Sequence, residues 1–360
     1  MKPRSVLVPI AALAGVAPFA ATAAATAVTA DEQATVTLLT YDSFPTADTT
    51  LNQSLDRFTA ETGIEVEILV AGDTGTMVSK AILTAGNPEG DVLFGVDNTY
   101  VSRAVEGGVF EPYEASGLEA VLAEFLEAAP SDADGPLVTP VDYGDVCVNY
   151  DIDWFDEHDL EPPADLRSLT DPAYEDLLVV ENPATSSPGL AFLMATVAEF
   201  GGDWPEFWAD LDANGVEVVD DWTGAYYERF SGASDGPKPL VVSYGSSPPF
   251  EVIYAEEPVE QPSTGVLADT CFRQIEFAGV LAGTDAPAEA RQLVDWMIGA
   301  DFQAEIALNL FVYPVNDAVA LPAEIEEFSV VPDEPYTLEP DEITANREEW
   351  IEVWTDTVQR

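Results

Sequence analysis

The chain has 360 residues, 67 of them Asp or Glu against 12 Lys or Arg, for a formal net charge of −55. Nucleic acid and anionic lipid surfaces would be repelled by such a chain, so both are excluded as partners. Its hydrophobic share of 47% is too high for an acidic disordered polymer and enough for two lobes of ordinary domain size. The acids are spread along the chain, as in "EDLLVVE" and "EIEEF", and read as a solvated acidic surface rather than a cation-binding tract.

Residues 1–30 open with Lys2 and Arg4, continue with an apolar run and end in small residues. That is the layout of a secretory signal peptide. "VTA" before Asp31 predicts cleavage after Ala30, with Ala23 and Ala27 as competing sites. Pro9, Gly15 and Pro18 interrupt the run, which argues against a membrane anchor. No cysteine follows it, so the usual bacterial lipoprotein anchor is not expected. The expectation is a protein exported to the periplasm or outer cell surface, and monomeric.

Strand and helix then alternate. "TVTLLTY" reads as a buried strand, "TLNQSLDRFTAETG" as a helix stopped by Gly63, and "IEVEILVAG" as a second strand. "TGTMVSKAILTAG" is helical, "DVLFGV" is a short buried strand, and "YVSRAVEGG" is a helix with a glycine stop. This order argues for a parallel sheet with helices on its faces. Further on, "SPGLAFLMATVAEFGG" predicts a helix with Ser187 as N-cap and Pro188 in the first turn. "LVVSYGSSPPFEV" is a strand leading into a stiff, hydroxyl-rich loop flanked by Tyr244 and Phe250. "PAEARQLVDWMIGADFQAEIALN" predicts one or two amphipathic helices, and "TANREEWIEVWTDTVQ" a last one. No repeat or low-complexity linker separates beads on a string, so two interleaved lobes are expected.

Catalytic constellations are sparse. His158, in "DIDWFDEHDLEPP", is the one histidine and reads as a surface residue in a charged loop. No G-x-S-x-G elbow, phosphate loop or G-x-G-x-x-G occurs. Zinc does not suit one His and two distant Cys. The segment "DIDWFDEHDLE" lacks the glycine and the fifth-position oxygen of a calcium loop. The prediction is therefore no catalytic residue, no metal and no cofactor. Cys147 and Cys271 lie in strand-like runs that can be neighbours, and the residues leave open a disulfide or two buried thiols.

An aromatic beside a carboxylate or hydroxyl recurs at the ends of expected strands. Instances are "TYDSF", "GVDN", "PVDYGD", "NPATSSPGL", "DDWTGAYY" (Trp222, Tyr226), "SYGSSPPF" and "LNLFVYPVN". Ligands of open α/β sheets bind at the carboxyl ends of strands. Such a composite site would hold a flat or cationic group by stacking, and a polar tail by hydroxyls and N–H groups.

In order and spacing, these segments resemble the thiamine-binding periplasmic proteins, the receptors of bacterial thiamine ABC importers. The resemblance runs from "TVTLLTYDSF" to "ANREEWIEVW", nearly the whole chain after residue 30. It implies the α/β two-lobed periplasmic-binding-protein fold (type II), each lobe a mostly parallel sheet flanked by helices. The expected lobes are residues 31–142 plus 273–310 and residues 143–272 plus 311–360. The resemblance also implies a ligand that is thiamine, its monophosphate or its diphosphate, and partners that are a membrane permease and its ATPase subunit. It points to Tyr41, Trp222, Tyr244, Phe250 and Phe311 as aromatic neighbours of the ligand, and Tyr226, from the same segment as Trp222, completes the candidate aromatic set. Asp42 and Asp97 would meet the aminopyrimidine or the thiazolium charge, and Thr185, Ser186 and Ser187 the hydroxyethyl or phosphate end. Phe250 stands where relatives tend to carry tyrosine and Phe311 where they tend to carry tryptophan, so a phenol O–H and an indole N–H are lost. Three other readings compete: a polyamine receptor, a ferric-iron receptor using Tyr143 and Tyr244, and an exported thiamine-degrading enzyme using Cys147.

Overall fold

Between residues 35 and 106, strands and amphipathic helices alternate as their periodicity predicts. The computed structural model describes residues 33–255 and 257–359. The expected signal peptide and its cleavage site lie outside the described residues. The first elements are β1 (Thr35–Thr40), α1 (Thr50–Thr62), β2 (Glu65–Val70), α2 (Thr74–Leu83), β3 (Val92–Asp97) and α3 (Val101–Glu106). Helix α1 starts in a capping box. The Asn52 N–H donates to Thr49 Oγ1 and the Thr49 N–H to Asn52 Oδ1, both at 3.2 Å. Its buried Leu51, Leu55 and Phe58 fall on one face.

The chain continues through α4 (Ala123–Ala128), β4 (Thr139–Asp151), α5 (Ile152–Glu157), β5 (Leu178–Glu181), α6 (Ser187–Phe200), α7 (Trp204–Ala213) and β6 (Glu217–Val219). A wide π-type turn, Gly224–Arg229, precedes β7 (Leu240–Tyr244), α8 (Pro248–Ile253) and β8 (Thr264–Val280). Then come α9 (Pro287–Ile298), α10 (Ala300–Leu310), β9 (Tyr313–Pro314), α11 (Ala323–Phe328) and α12 (Pro340–Val358).

One sheet runs in the order β2-β1-β3-β8-β4-β7-β5-β6, with β9 added to β4. Its flanks are parallel: β1 lies between β2 and β3, and β5 between β6 and β7. Its middle is antiparallel, β4 against β8. Strand β3 pairs with the end of β8, from Glu276 to Val280. Strand β7 pairs with the end of β4, from Val146 to Tyr150. The two long strands therefore carry a half of the molecule at each end. The divisions expected at 142/143 and 272/273 fall inside β4 and β8.

Helices α9 and α10 bury Leu293, Met297 and Phe302 in the first half with Val36, Leu38 and Phe94. In the second half, α6 is buried on every side from Ser187 to Val197, which is why its sequence is apolar all round.

Three local expectations change. The N-cap of α6 is Ser186, not Ser187, because the Ser187 hydroxyl is drawn to the carboxylate of Asp97. The stretch after Tyr244 is a turn followed by helix α8 rather than an extended loop, since paired prolines suit a first helical turn. Helix α12 begins at Pro340, earlier than the apolar pattern suggests. His158 is exposed at the end of α5, its ring stacked on Trp154 at 3.9 Å.

Cys147 and Cys271 form a disulfide that joins β4 to β8, beside a register shift between Val146 and Val148. The bridge spans 124 residues of sequence, so in the chain-entropy model it stabilises by up to about 4–5 kcal/mol. Denatured, unreduced protein should show no thiol titre, and reduction should lower the melting temperature. Two titratable thiols in that assay would refute the bridge.

Candidate functional site

A cavity opens where the two halves face each other across β4 and β8, at the carboxyl ends of the parallel strands. It takes in about 640 Å³ of non-atom space, part of it open solvent. The first half contributes Tyr41, Asp42 and Ser43 after β1, and Asp73 and Thr74 at the start of α2. The second contributes Ser187 and Pro188 at the start of α6, then Trp222 and Tyr244. Glu276 of β8 lines it from the middle of the sheet, and Asn309 to Val312 close one side.

Each aromatic wall has its own support. The Tyr41 ring lies over Gly95, where an added Cβ would stand 2.1 Å from the ring; with φ at +98°, Gly95 is a position only glycine fills without strain. The Trp222 indole stacks on Tyr226 at 5.1 Å and donates Nε1–H to Ser243 Oγ at 3.0 Å. Phe311 ends α10 with φ +63°, a left-handed backbone that is rare for a bulky residue. The Ser246 hydroxyl donates to the Phe311 carbonyl. The Phe311 ring sits 3.9 Å from Phe250 and 6.3 Å from Trp222. Strain of this kind persists where the surroundings over-determine it, and it clusters at ligand sites.

The expected site residues therefore divide. Tyr41, Asp42, Ser187, Trp222, Tyr244 and Phe311 line the cavity. Tyr226 and Phe250 do not, and instead back Trp222 and Phe311. Asp97 is fully buried behind the wall. It accepts from Thr99, from the Tyr100 N–H, from Ser187 and from Gln274 Nε2. Thr185 turns its hydroxyl to the Asp220 carbonyl at 2.7 Å, and Ser186 is fully buried beside Asp73.

A family model for bacterial extracellular solute-binding proteins matches residues 53–330. The chain belongs to that family. This solute-binding protein is 28% identical over 326 residues to the thiamine-binding periplasmic protein of Escherichia coli (strain K12), covering 90% of this chain and 94% of that one. It is 25% identical to the thiamine-binding periplasmic protein of Brucella suis, over 91% and 92% of the two chains. A solved periplasmic thiamin binding protein superposes with a TM-score of 0.78 at 26% identity, covering 91% of this chain and 96% of that one. The fold is the two-lobed periplasmic-binding-protein architecture.

The acids of this solute-binding protein's cleft were the residues that sequence reasoning missed. In a chain with 67 acids, no motif singled out Asp73 or Glu276. The signal that finds them is tertiary: both line one cavity, Glu276 buried and Asp73 half-buried. Burial pushes the Asp73 carboxyl up to about 7; the Thr74 N–H pulls it down, and the Asp42 charge adds to the rise. Partial burial, then the charge of Asp221, raises Asp42 at the rim. Glu276 faces Asp142 across the β8–β4 pair. Burial and then the Asp142 charge hold Glu276 well above the usual carboxylate range. Burial also pushes Asp142 up to about 8. Among the described residues, no donor meets either oxygen of Asp142 or Oε2 of Glu276, so the pair is satisfied by sharing a proton. Burial, followed by the charge of Glu276, keeps the Tyr41 and Tyr244 phenols protonated.

A carboxyl that keeps its proton in the folded state, when the unfolded chain has shed it, loses stability as pH rises. For Asp142 the window runs from about 4, the unfolded value, to about 8. Asp142→Asn removes that cost and offers Glu276 an N–H. Its melting temperature should exceed the parent's by about 2–4 °C near pH 8, with the gap closing near pH 4. An equal gap at both pH values would show that the pair does not hold a proton.

Proposed function

We propose that this solute-binding protein captures thiamine in the cavity and delivers it, as a monomer, to an ABC permease with its ATPase subunit. The observation that carries the reading is the convergence of Tyr41, Trp222, Tyr244 and Phe311 with Asp42, Asp73 and Glu276 around one cavity. Thiamine is a flat aminopyrimidine joined to a permanently cationic thiazolium. Aromatic faces stack its rings and attract its charge, each such contact contributing about 0.5–2 kcal/mol. Buried carboxylates accept its amino protons and offset its charge. The names of the relatives support the same ligand.

The competing readings find less support. Tyr143 does not line the cavity; it stacks on Phe125 at 4.6 Å, so it makes no iron-binding pair with Tyr244. Cys147 is held in the disulfide, which leaves it no thiolate for nucleophilic chemistry. A polyamine would suit the carboxylates but leave the ring-stacking walls unused. We read the protein as a receptor, not an enzyme.

Capture by a two-lobed receptor involves hinge closure. In this structure the first half reaches the carbonyls of residues 183–185 in the second. The Gly75 N–H donates to the Thr185 carbonyl at 2.9 Å, and Tyr100 Oη–H to the Pro183 carbonyl at 2.7 Å. An added Cβ at Gly75 would stand 2.6 Å from the Ala184 carbonyl oxygen. We assign this contact to the closed state, with β4 and β8 as the hinge strands.

Two measurements test the function. Isothermal titration should show thiamine bound by the parent, and about 30- to 1000-fold more weakly by Trp222→Ala, the loss of a central aromatic anchor. The variant's melting temperature should be nearly unchanged. A parent that ignores thiamine and its phosphates but binds spermidine or ferric ion would overturn the reading. Gly75→Ala, which touches no ligand, should weaken thiamine binding about tenfold by opposing closure. Helix α2 should survive, since alanine is the better helix former. Unchanged affinity would mean that this contact does not report closure.

A further inference from the structure

We infer that Glu251, which does not line the cavity, is a positioning residue: it anchors a one-way hydrogen-bond chain that fixes the Trp222 indole in the cavity wall. The inference rests on the thiamine reading for its affinity measurements. Trp222 is held from behind in two ways, and both lead to the same carboxylate. Its ring stacks on Tyr226 at 5.1 Å, the planes 13° apart. Its Nε1–H donates to Ser243 Oγ, which lies 3.0 Å from Ser247 Oγ. The wide turn Gly224–Arg229, a kind of turn frequent at functional sites, carries Tyr226 so that its buried phenol meets both Ser247 and Glu251.

The ends of the chain set its direction. An indole N–H can only donate, and a carboxylate can only accept. Burial, then the charge of Glu251, holds the Tyr226 phenol well above its ordinary range; a hydrogen bond with Ser247 opposes the rise and one with Glu251 adds to it. Those opposite signs mean that the Ser247 hydroxyl donates to the phenol oxygen and the phenol O–H donates to Glu251. The chain runs from Trp222 through Ser243, Ser247 and Tyr226 to Glu251, each hydroxyl accepting one bond and donating the next. Bonds in such a series polarise one another, and a donor placed at the accepting end opposes all of them.

Glu251 is itself held in place. Its helix, α8, has six residues and no side-chain cap, too short to keep its shape alone. Glu251 Oε2 accepts the Ser263 N–H at 2.8 Å, and the Ser263 hydroxyl and Thr264 N–H at 2.9 Å. Its Oε1 accepts the Thr264 hydroxyl. Thr264 opens β8 and pairs with Asp151 of β4, so α8 is fastened to the long strand pair. Phe250, the preceding residue, backs Phe311 at 3.9 Å. A pin between α8 and β8 needs only the Ser263 and Thr264 bonds. The contact with Tyr226 makes the pin an anchor for the wall.

The test uses the full chain at about pH 8, above the ordinary glutamate range. Tyr226→Phe keeps the stacked ring and the bonds of Glu251 to β8 but cuts the chain. Glu251→Gln keeps the side chain's shape and puts N–H donors where only an acceptor stood. By isothermal titration each should bind thiamine about three- to tenfold more weakly, the net effect of one lost hydrogen bond. The double variant should bind no more weakly than the weaker single, because both cut the same chain. A second readout needs no ligand. The chain has seven tryptophans, and the Trp222 indole N–H is assigned in a proton–nitrogen NMR correlation spectrum by its loss in Trp222→Phe. That signal should move upfield in both single variants while the other indole signals stay. Tyr226→Phe binding like the parent with the Trp222 signal unmoved overturns the inference. Losses that add in the double variant also overturn it and leave Glu251 as a pin for α8 alone. If the parent binds no thiamine, the thiamine reading falls, and the indole signal alone decides: moved, it upholds the chain, and unmoved, it overturns it.

Discussion

Strands β4 and β8, 13 and 17 residues long, run antiparallel through the middle of the sheet, and each flank of parallel strands hangs from one end of the pair. The pair runs through both halves with two register shifts, and each of its strands takes a flanking strand at one end. The carboxyl ends of β1 and β2 in one half, and of β5, β6 and β7 in the other, then face each other across it. Ligand sites of α/β sheets form at such ends, so the position of the cleft follows from this pairing. The disulfide ties the two strands together at their shared bulge. The two halves are therefore joined by a few extended rungs, a geometry that can twist without breaking its ladder.

The same rungs carry the electrostatics of the cleft. Asp97 of β3 pairs with Glu276 of β8, which pairs with Asp142 of β4, so three carboxyls lie side by side across adjacent strands. Asp97 is saturated with donors from Thr99, Tyr100, Ser187 and Gln274. The other two depend on a shared proton. Acidity thus has two roles here. The scattered surface acids are hydrated and act through net charge. Of the desolvated acids, Glu276 and the half-buried Asp73 reach the cavity, and burial raises both.

Much of the fold was legible because its signals are local. "TVTLLT", "DVLFGV" and "LVVSY" are short runs of buried side chains, and α1, α2 and α9 repeat apolar residues at helical spacing. Cues of the same kind, an aromatic beside a polar group at a strand end, located Tyr41, Asp42, Ser187, Trp222, Tyr244 and Phe311. The same cue selected Tyr226, Phe250 and Asp97, which stand one layer behind the wall. Adjacency in sequence does not say which of two aromatics faces a cavity. The backbone turn at Phe311, with φ +63°, made that choice for the pair it forms with Phe250.

By itself, the sequence determined the class of the fold, the alternation of its elements, the acidic surface and the set of strand ends from which a site would be built. Each of these depends on residue type and near-neighbour spacing, which a linear chain carries in full. Only the tertiary structure decided that Cys147 meets Cys271, that Asp73 and Glu276 enter the cavity, and that the Ser187 hydroxyl serves Asp97. Those outcomes depend on burial and on pairing between residues far apart in the chain. A carboxylate among many in sequence becomes distinct only when its water is removed, and which carboxylates lose their water is set by packing.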